Sequence, residues 1–477
     1  MKKYILLSFL SIVILHANDT NISKQPTIQE LVKEIDLLKK EVTTLKISQE
    51  NNLYEIEEVS DFTENIEANL LKDKINFGLG FKTNLDNFNK QYANGKKVQS
   101  NNIWSNKLML NMKADITENM NFYGRLSMYK YWGSSIIHPY SYYDNMQGRV
   151  PSDSALYVER AYINWFFNKG TYIPLALTIG RQPSSDGPSN QFKDNTSRKG
   201  TYSALLYDGA ADGIVFTANI SKLISNEKSY LRIGYSKGFG YSETSQDIGN
   251  PFIGASNNDI KDTNVVGIFL DTTLPHIKDT LLQVSYSHMK DIIANPLDQN
   301  SSSNQNIGSL DLYGAMFEAT NFLNSHLDFF TQFGYSVAHP NGKGYANYGG
   351  LLSGKNEKSS KNAYATWIGT RYGFGKKQQY KVGFEYNYGS KNWINLTQGS
   401  FDIYNKLATR GNAYEAYLMY VINRYANIRL GYVNIDYNYT RSGWFVGESK
   451  KITTSMNNSE RVVKSLQSIY IKMNLNF

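Results

Sequence analysis

Basic side chains recur at alternate positions within aromatic-rich stretches: Lys82, Lys107, Lys113, Arg125, Arg160, Arg232, Arg371, Lys381, Arg429 and Lys472. Acidic residues follow the same alternation at Asp271, Glu318, Asp328, Glu385 and Glu415, and they are fewer. Charges of one sign along a water-filled path lower the barrier for ions of the other sign. The excess of cations therefore points to a path that leans toward anions. Mutual pairing of these charges would leave the path weakly selective. A second group of charges lies in one long segment, "RQPSSDGPSNQFKDNTSRKGTYSALLYDGAAD", at Arg181, Asp186, Lys193, Asp194, Arg198 and Lys199. Long segments without regular structure are uncommon unless they are functional or disordered. Folded inward, this loop would constrict the path; otherwise it is a solvated outer loop.

Other chemistry finds little support. The histidines His16, His138, His276, His288, His326 and His339 are scattered, and none pairs at metal-ligand spacing. The chain has no cysteine, which excludes disulfides and thiolate-bound zinc. "FGLGFK" and "YGFGKK" lack the rest of a phosphate loop. No cofactor and no catalytic residue are expected. The net charge of +8 comes from 50 Lys+Arg and 42 Asp+Glu spread along the chain, without the basic block that tracks nucleic acid.

The elements that would position these charges are strands. From Ile75 onward, polar and apolar residues alternate with a period of two. In "KVGFEYNY", Val382, Phe384 and Tyr386 fall on one face and Lys381, Glu385 and Asn387 on the other. "DFFTQFGYSV" puts Phe329, Phe333 and Tyr335 opposite Asp328, Gln332 and Ser336, and "YLRIGYS" puts Leu231, Ile233 and Tyr235 opposite Arg232. Roughly sixteen such segments of about ten residues suit tilted membrane-crossing strands. Their connections alternate. Short turns such as "NKG", "SNEK", "GKK" and "NR" take turns with long loops near 84–102, 132–153, 182–209, 239–261, 292–308, 339–361, 391–410 and 441–464. This is the pattern of an all-β, antiparallel, up-and-down outer-membrane barrel with both ends on the periplasmic side. A face this polar is not a packed core, so a wet interior is expected. Tyrosine contributes 36 residues and mean hydropathy is −0.46, which fits rings placed at an oil–water boundary. Trp104, Tyr131, Trp132, Trp165, Trp367 and Tyr425 are expected in interfacial girdles.

Residues 1–17 read as a secretory signal peptide, with Lys2 and Lys3, an apolar run and Ala17. Residues 18–74 read as a periplasmic segment whose clean heptads place Ile28, Ile35 and Val42 at a and Leu31, Leu38 and Leu45 at d, which suits a parallel coiled coil. The barrel is expected over 75–477. It ends on "SIYIKMNLNF", a strand that should close the ring beside "INFGLGFKT".

"FYGRLSMYKYWG", "LYVERAYINWFF" and "IGRQPSSDGPSNQFKDNTSRKGTYSALLYDGAADGI" resemble a porin-like outer-membrane family of epsilonproteobacteria, the DUF3373 type, a domain of unknown function. The resemblance implies an outer-membrane barrel and brings no catalytic residues. Similarly, the terminal Phe477 looks like the signal that outer-membrane barrels present to the barrel-assembly machinery. The expected function is passive diffusion of small hydrophilic solutes through an anion-leaning pore. A homotrimer held by coiled coil and barrel is expected within the lipid of the outer membrane. The alternatives are an adhesive or structural protein linking envelope layers, and an outer-membrane hydrolase.

Overall fold

The structure, a computed structural model, describes residues 36–37, 39–40, 75–133, 156–209, 211–239, 261–275, 277, 279–294, 305–396, 402–453, 456 and 462–477. The signal peptide and the heptad segment lie outside the described residues, apart from four helical positions between 36 and 40. The chain divides into two units, Met1–Asp73 and Lys74–Phe477.

The second unit is a closed barrel of sixteen antiparallel strands in which β1 pairs with both β2 and β16. The strands are β1 (Ile75–Tyr92), β2 (Lys97–Thr117), β3 (Met120–Tyr131), β4 (Tyr157–Phe167), β5 (Leu175–Arg181), β6 (Asp212–Asn219), β7 (Ser229–Phe239) and β8 (Thr263–Thr272). They continue as β9 (Thr280–Ile293), β10 (Asn306–Ala319), β11 (Leu327–Pro340), β12 (Lys361–Phe374), β13 (Tyr380–Gly389), β14 (Gly411–Asn423), β15 (Ala426–Tyr437) and β16 (Val463–Asn476). Every strand has two neighbours, so the ladder has no open edge.

Outward faces are apolar and exposed, as Ile233, Phe333, Val382, Phe384 and Ile471 illustrate. Two rows of aromatics border this band. Tyr286, Tyr313 and Tyr335 form one row with centroids 5.0 and 6.0 Å apart, toward the long loops. Phe374, Tyr380 and Tyr420 form another at the short-turn end, at 5.6 and 5.4 Å. Trp104 and Trp132 pack at 4.7 Å, and Trp165 is exposed. Trp367 departs from the expected girdle. Its neighbour Ile368 takes the outward position, so Trp367 points inward, fully buried, and donates to Glu385 at 3.0 Å.

Two further expectations are corrected. The long loop expected near 84–102 is a continuation of β1 and β2 around a tight turn. Polar residues such as Asn87, Asn89 and Gln91 face outward above the apolar band, and a register shift near Asp86 interrupts the pairing, so the alternation lost its contrast there. The interior is also less wet than expected. Inward-facing Leu310, Leu312 and Ala338 pack with Leu351, Leu352, Ile394 and Val446 from the long loops as an apolar core inside the barrel. Fully burying each such aliphatic side chain is worth about 1.5–3 kcal/mol.

Candidate functional site, a plugged lumen

The segment after β5 enters the lumen. It makes one short turn of helix, Asn190–Asp194, between residues in the left-handed region, Ser189 (φ 75°) and Asn195 (φ 52°). Its two limbs touch at a neck: a Cβ on Gly187 would sit 2.0 Å from the Tyr202 carbonyl oxygen. Beyond the neck, Phe192 stacks on Phe330 of β11 with centroids 5.6 Å apart. Returning toward β6, Leu205 and Leu206 are buried against the inner wall, in a cluster with Phe192, Phe330, Ala363, Trp367 and Trp393. The wall is shaped to receive them. A Cβ on Gly314 would lie 2.3 Å from Leu206 Cδ1, and one on Gly334 2.5 Å from Trp393 Cη2.

A second inward loop, between β13 and β14, completes the plug. Leu396 N–H donates to Leu206 O at 3.0 Å, Asp208 N–H donates to Leu396 O at 2.7 Å, and Asn395 Nδ2 donates to Leu205 O at 2.6 Å. Arg410, with no exposed surface, donates to the carbonyls of Trp393 (2.9 Å) and Trp444 (2.7 Å), so it also ties this loop to the one after β15. Tyr404 reaches the far wall and donates to Asp86 of β1 at 2.5 Å.

The charged candidates separate into three groups. The first clamps the plug tip. Lys82 pairs with Asp194 at 2.7 Å. Arg371 donates to Asp328 at 2.7 Å and to the Phe192 carbonyl. Arg429 donates to the Lys193 carbonyl, Asn427 to the Asp194 carbonyl at 3.0 Å, and Lys381 to Asn195 Oδ1 at 2.6 Å. The last carbonyls of a helical turn have no partner within the turn, and cationic donors satisfy them well. Residues expected to face passing ions thus hold the plug instead. Lys199 extends the tip to β16, donating to Asn476 at 3.0 Å.

The second group forms a buried network beside the neck. Lys107 pairs with Glu159 at 2.7 Å, while Arg125 reaches Glu159 at 3.1 Å and Asp186 at 3.0 Å. Arg160 donates to the Lys199 carbonyl at 2.7 Å and to the Ser185 carbonyl at 2.6 Å. Burial alone would raise the Asp186 pKa, but Lys82, Arg125, Lys107 and Arg160 hold it well below the usual carboxylate range. In the third group, Lys406 of the second loop sits between Glu385, at 2.5 Å, and Glu415.

Among the remaining candidates, Arg232 pairs with Asp271, and Lys472 lies 4.4 Å from the Tyr470 ring centroid. Glu318 accepts from Ser189 at 3.2 Å and from Gln191 at 3.0 Å. Lys113 pairs with Asp115 at 3.2 Å near the short-turn end, and Arg198 is exposed at the plug tip. Arg181 does not join the constriction. It shares the outward face of β5 with exposed Ile179 and lies 3.5 Å from Asp212. Phe477 exchanges both backbone hydrogen bonds with Leu79, at 3.1 and 2.8 Å, and stacks on Tyr425 at 5.4 Å. Between the plug and β1, β14, β15 and β16 there remains a cavity of about 40 Å³, lined by Lys82, Lys193, Arg429 and Lys472 and by Asp186, Asp194, Asp402 and Glu415. A water needs about 10–15 Å³, so the cavity has room for a few waters.

Residues 97–477 match the family described as "Protein of unknown function (DUF3373)". The chain belongs to this DUF3373 family. No curated protein matches it. Among solved structures, the Salmonella typhi OmpF complex with daunomycin is 9% identical, with 85% of this chain and 98% of that one covered and a TM-score of 0.45. Outer-membrane expressed OmpT of Vibrio cholerae is 11% identical, with 85% and 99% covered and a TM-score of 0.45. An in-vitro folded OmpT of Vibrio cholerae in a trimer form is 10% identical, with 84% and 99% covered and a TM-score of 0.42.

Several residues central to this DUF3373 lumen escaped the sequence reading. Glu159 is one: it adjoins Arg160, which was assigned inward, yet it points inward too, because the register with β3 slips between Arg125/Arg160 and Leu126/Val158. A bulge of this kind breaks the period of two on which the face assignment rested. Asp86 was lost for another reason, since it lies in the part of β1 that reads as a long loop, although the alternation continues through it. Lys406 and Asp402 lie in a loop, where no periodicity assigns a direction.

The Lys199 ammonium gives a testable pH dependence. Burial, reinforced by Lys82 and Arg125, lowers its pKa to about 8. A base with a lowered folded pKa is disfavoured while charged, so its cost to stability is present at low pH. The cost is relieved as pH rises from that value toward the unfolded lysine value near 10.4. Reversal potentials measured from pH 7 to pH 9 should move toward cations as this charge is lost. Lys199→Met should flatten that response.

Proposed function

We propose that the chain is a plugged diffusion channel of the outer membrane, passing small hydrophilic solutes. The observation that carries this reading is the two-sided lumen. The plug is fixed to the walls of β9–β16 and β1 and, at its neck, to Arg125 and Arg160, whereas inward Asn164, Thr178, Thr217 and Arg232 on β4–β7 remain partly exposed. The membrane location rests on the apolar band between two aromatic rows, on a barrel that satisfies its backbone internally. The heptads support a homo-oligomer, with a trimer as the working assignment, and the terminal strand supports recognition by the barrel-assembly machinery.

Compensation of the wall cations argues for weak ion selectivity. What remains of the anion lean resides in Arg198 and Lys199. Purified protein in planar bilayers should give stepwise conductance, with a reversal potential only slightly on the anion side in a salt gradient. A membrane that stays closed at all voltages would remove the channel reading, and a clear cation preference would remove the lean.

One arrangement favours the hydrolase alternative. On the outer face near the long loops, His339 Nε2 lies 2.8 Å from Asp311 Oδ2, and its Nδ1 lies 3.2 Å from Ser360 Oγ. A serine-directed fluorophosphonate decides the matter: labelling of Ser360 that His339→Asn abolishes would establish an esterase, and an unlabelled protein retires it.

A further inference from the structure

We propose that solutes cross this barrel through an off-axis crevice along β4–β7, and that the crevice is suited to compact, uncharged, hydroxyl-rich solutes such as cyclic polyols. The inference rests on the channel reading and locates its path.

The inner wall differs from side to side. On the β9–β16 side, inward Gln283, Ser287, Gln332, Ser336, Glu385 and Asn387 are all buried beneath the loops. On the other side, Arg160 is buried against the plug neck and Val215 is buried in the wall, but inward Tyr162, Asn164, Thr178, Thr217 and Arg232 keep part of their surface exposed. Their inward direction follows from the register. Asn164 pairs with Thr178 and Thr217 with Arg232, whereas Ile163, Ile179, Phe216 and Ile233 occupy the alternate, exposed positions.

Glycines sharpen the contrast. On the packed side, Gly314 and Gly334 are slots already filled by Leu206 and Trp393. On the crevice side, Gly180 pairs with Gly213 and Gly234 pairs with Gly267; a Cβ on Gly213 would meet Ser236 Cβ at 2.6 Å and one on Gly267 the Phe269 ring at 2.7 Å, so the nearest atoms there belong to the wall itself. A Cβ on Gly234 would meet only Val215 Cγ2 at 3.3 Å and the Ile214 carbonyl at 3.8 Å, and no atom of the plug. At Gly234 the plug does not reach the wall, as it does at Gly314 and Gly334, so the free section is assigned to this side.

The lining indicates the kind of solute. Arg232 is neutralised by Asp271, and Thr178 donates to Asn164 at 2.7 Å, which leaves amide and hydroxyl groups for further hydrogen bonds. Tyr123 and Tyr162 stack at 5.3 Å and present phenol edges with flat apolar faces. A ring with an apolar face and a hydroxyl edge complements such a surface. A fixed net charge would meet little compensating field there.

The absence of native cysteine makes the test direct. Gly234→Cys and Ser336→Cys are each reconstituted and treated with a charged methanethiosulfonate reagent, with labelling followed by mass. Labelling at 234 should cut conductance and monosaccharide-driven liposome swelling by about half or more, because the adduct occupies the narrow free section. Position 336 should stay unlabelled. Full labelling at 234 without loss of conductance, or no labelling there, overturns the path while leaving the channel reading intact. Absence of conductance in the untreated protein overturns the channel reading itself. Swelling should be faster with an uncharged monosaccharide than with a sugar acid or amino sugar of similar size, and a faster charged solute overturns the assigned class.

Discussion

Removing residues 188–199 and joining the chain across the Gly187–Gly200 neck should raise single-channel conductance by roughly threefold or more, since an empty sixteen-stranded barrel encloses a wide aqueous channel. A Cβ on Gly200 would lie 3.1 Å from Gly187 Cα, so two linker glycines bridge the gap without moving either limb. Leu205 and Leu206 stay in their pockets, which keeps the upper plug seated. The excision removes Asp194 and the carbonyls of Phe192 and Lys193. Lys82, Arg371, Lys381 and Arg429 then lose their plug contacts and face water. A clear anion preference should therefore accompany the higher conductance. The same basic residues that anchor the tip in the intact protein would select ions in the variant. Bilayer recordings in a salt gradient measure both effects together. Conductance unchanged by the excision would place the narrowest section away from the tip.

Lys406→Met should destabilise the folded barrel by about 3–5 kcal/mol, the usual penalty for removing one member of a buried ionic group. Lys406, Glu385 and Glu415 are almost fully buried, and the lysine is the group's central cation. Without it, the two carboxylates, which face each other across the β13–β14 ladder, are left to repel. Release of the second loop should follow, read as a lower temperature of heat-modifiable unfolding and new protease sensitivity between residues 391 and 410. Replacing all three residues together, with Glu385→Gln and Glu415→Gln, should recover much of the loss, because no uncompensated charge stays buried. Equal instability in the single and triple variants would assign the effect to packing. Although burial opposes the charge, Glu385, Glu415 and Asp402 raise the Lys406 pKa above the ordinary lysine value. A raised folded pKa stabilises fully below the unfolded value near 10.4 and is lost as pH climbs through the folded one. The wild-type loop should accordingly stay seated through neutral and mildly alkaline solution.

Alternation carried the sequence reading a long way where each strand has one apolar and one polar face. Val382, Phe384 and Tyr386 against Lys381, Glu385 and Asn387 is such a case. It failed where the chemistry does not alternate. The upper halves of β1 and β2 rise above the apolar band and carry mostly polar residues on both sides, with Phe88 as an inward exception, so they read as a loop. Trp367 looks interfacial by residue type, but its contacts are with Glu385 and with Phe330, 4.6 Å away between centroids. Among the site residues, Asp186 and Asp194 were legible as members of an unusual loop, and Arg371 and Arg429 as inward cations. Their pairing was not legible, because contacts across the lumen join positions far apart in the chain, 61 residues for Arg125–Asp186 and 112 for Lys82–Asp194, and leave no local pattern. Leu205 and Leu206 gave no signal of their own, since an apolar pair in a loop has no periodicity to place it.

The plug tip grips β1 through Lys82 and β16 through Asn476. These strands adjoin in the ring but stand at opposite ends of the barrel sequence. The tip therefore works as a clasp across the barrel's seam. It has both of its holds only after the last strand has docked against the first, so its seating is a late event that reports completion of the circle. A barrel stalled before closure would carry an unclasped tip, and cellular proteases would have a means of telling finished molecules from unfinished ones.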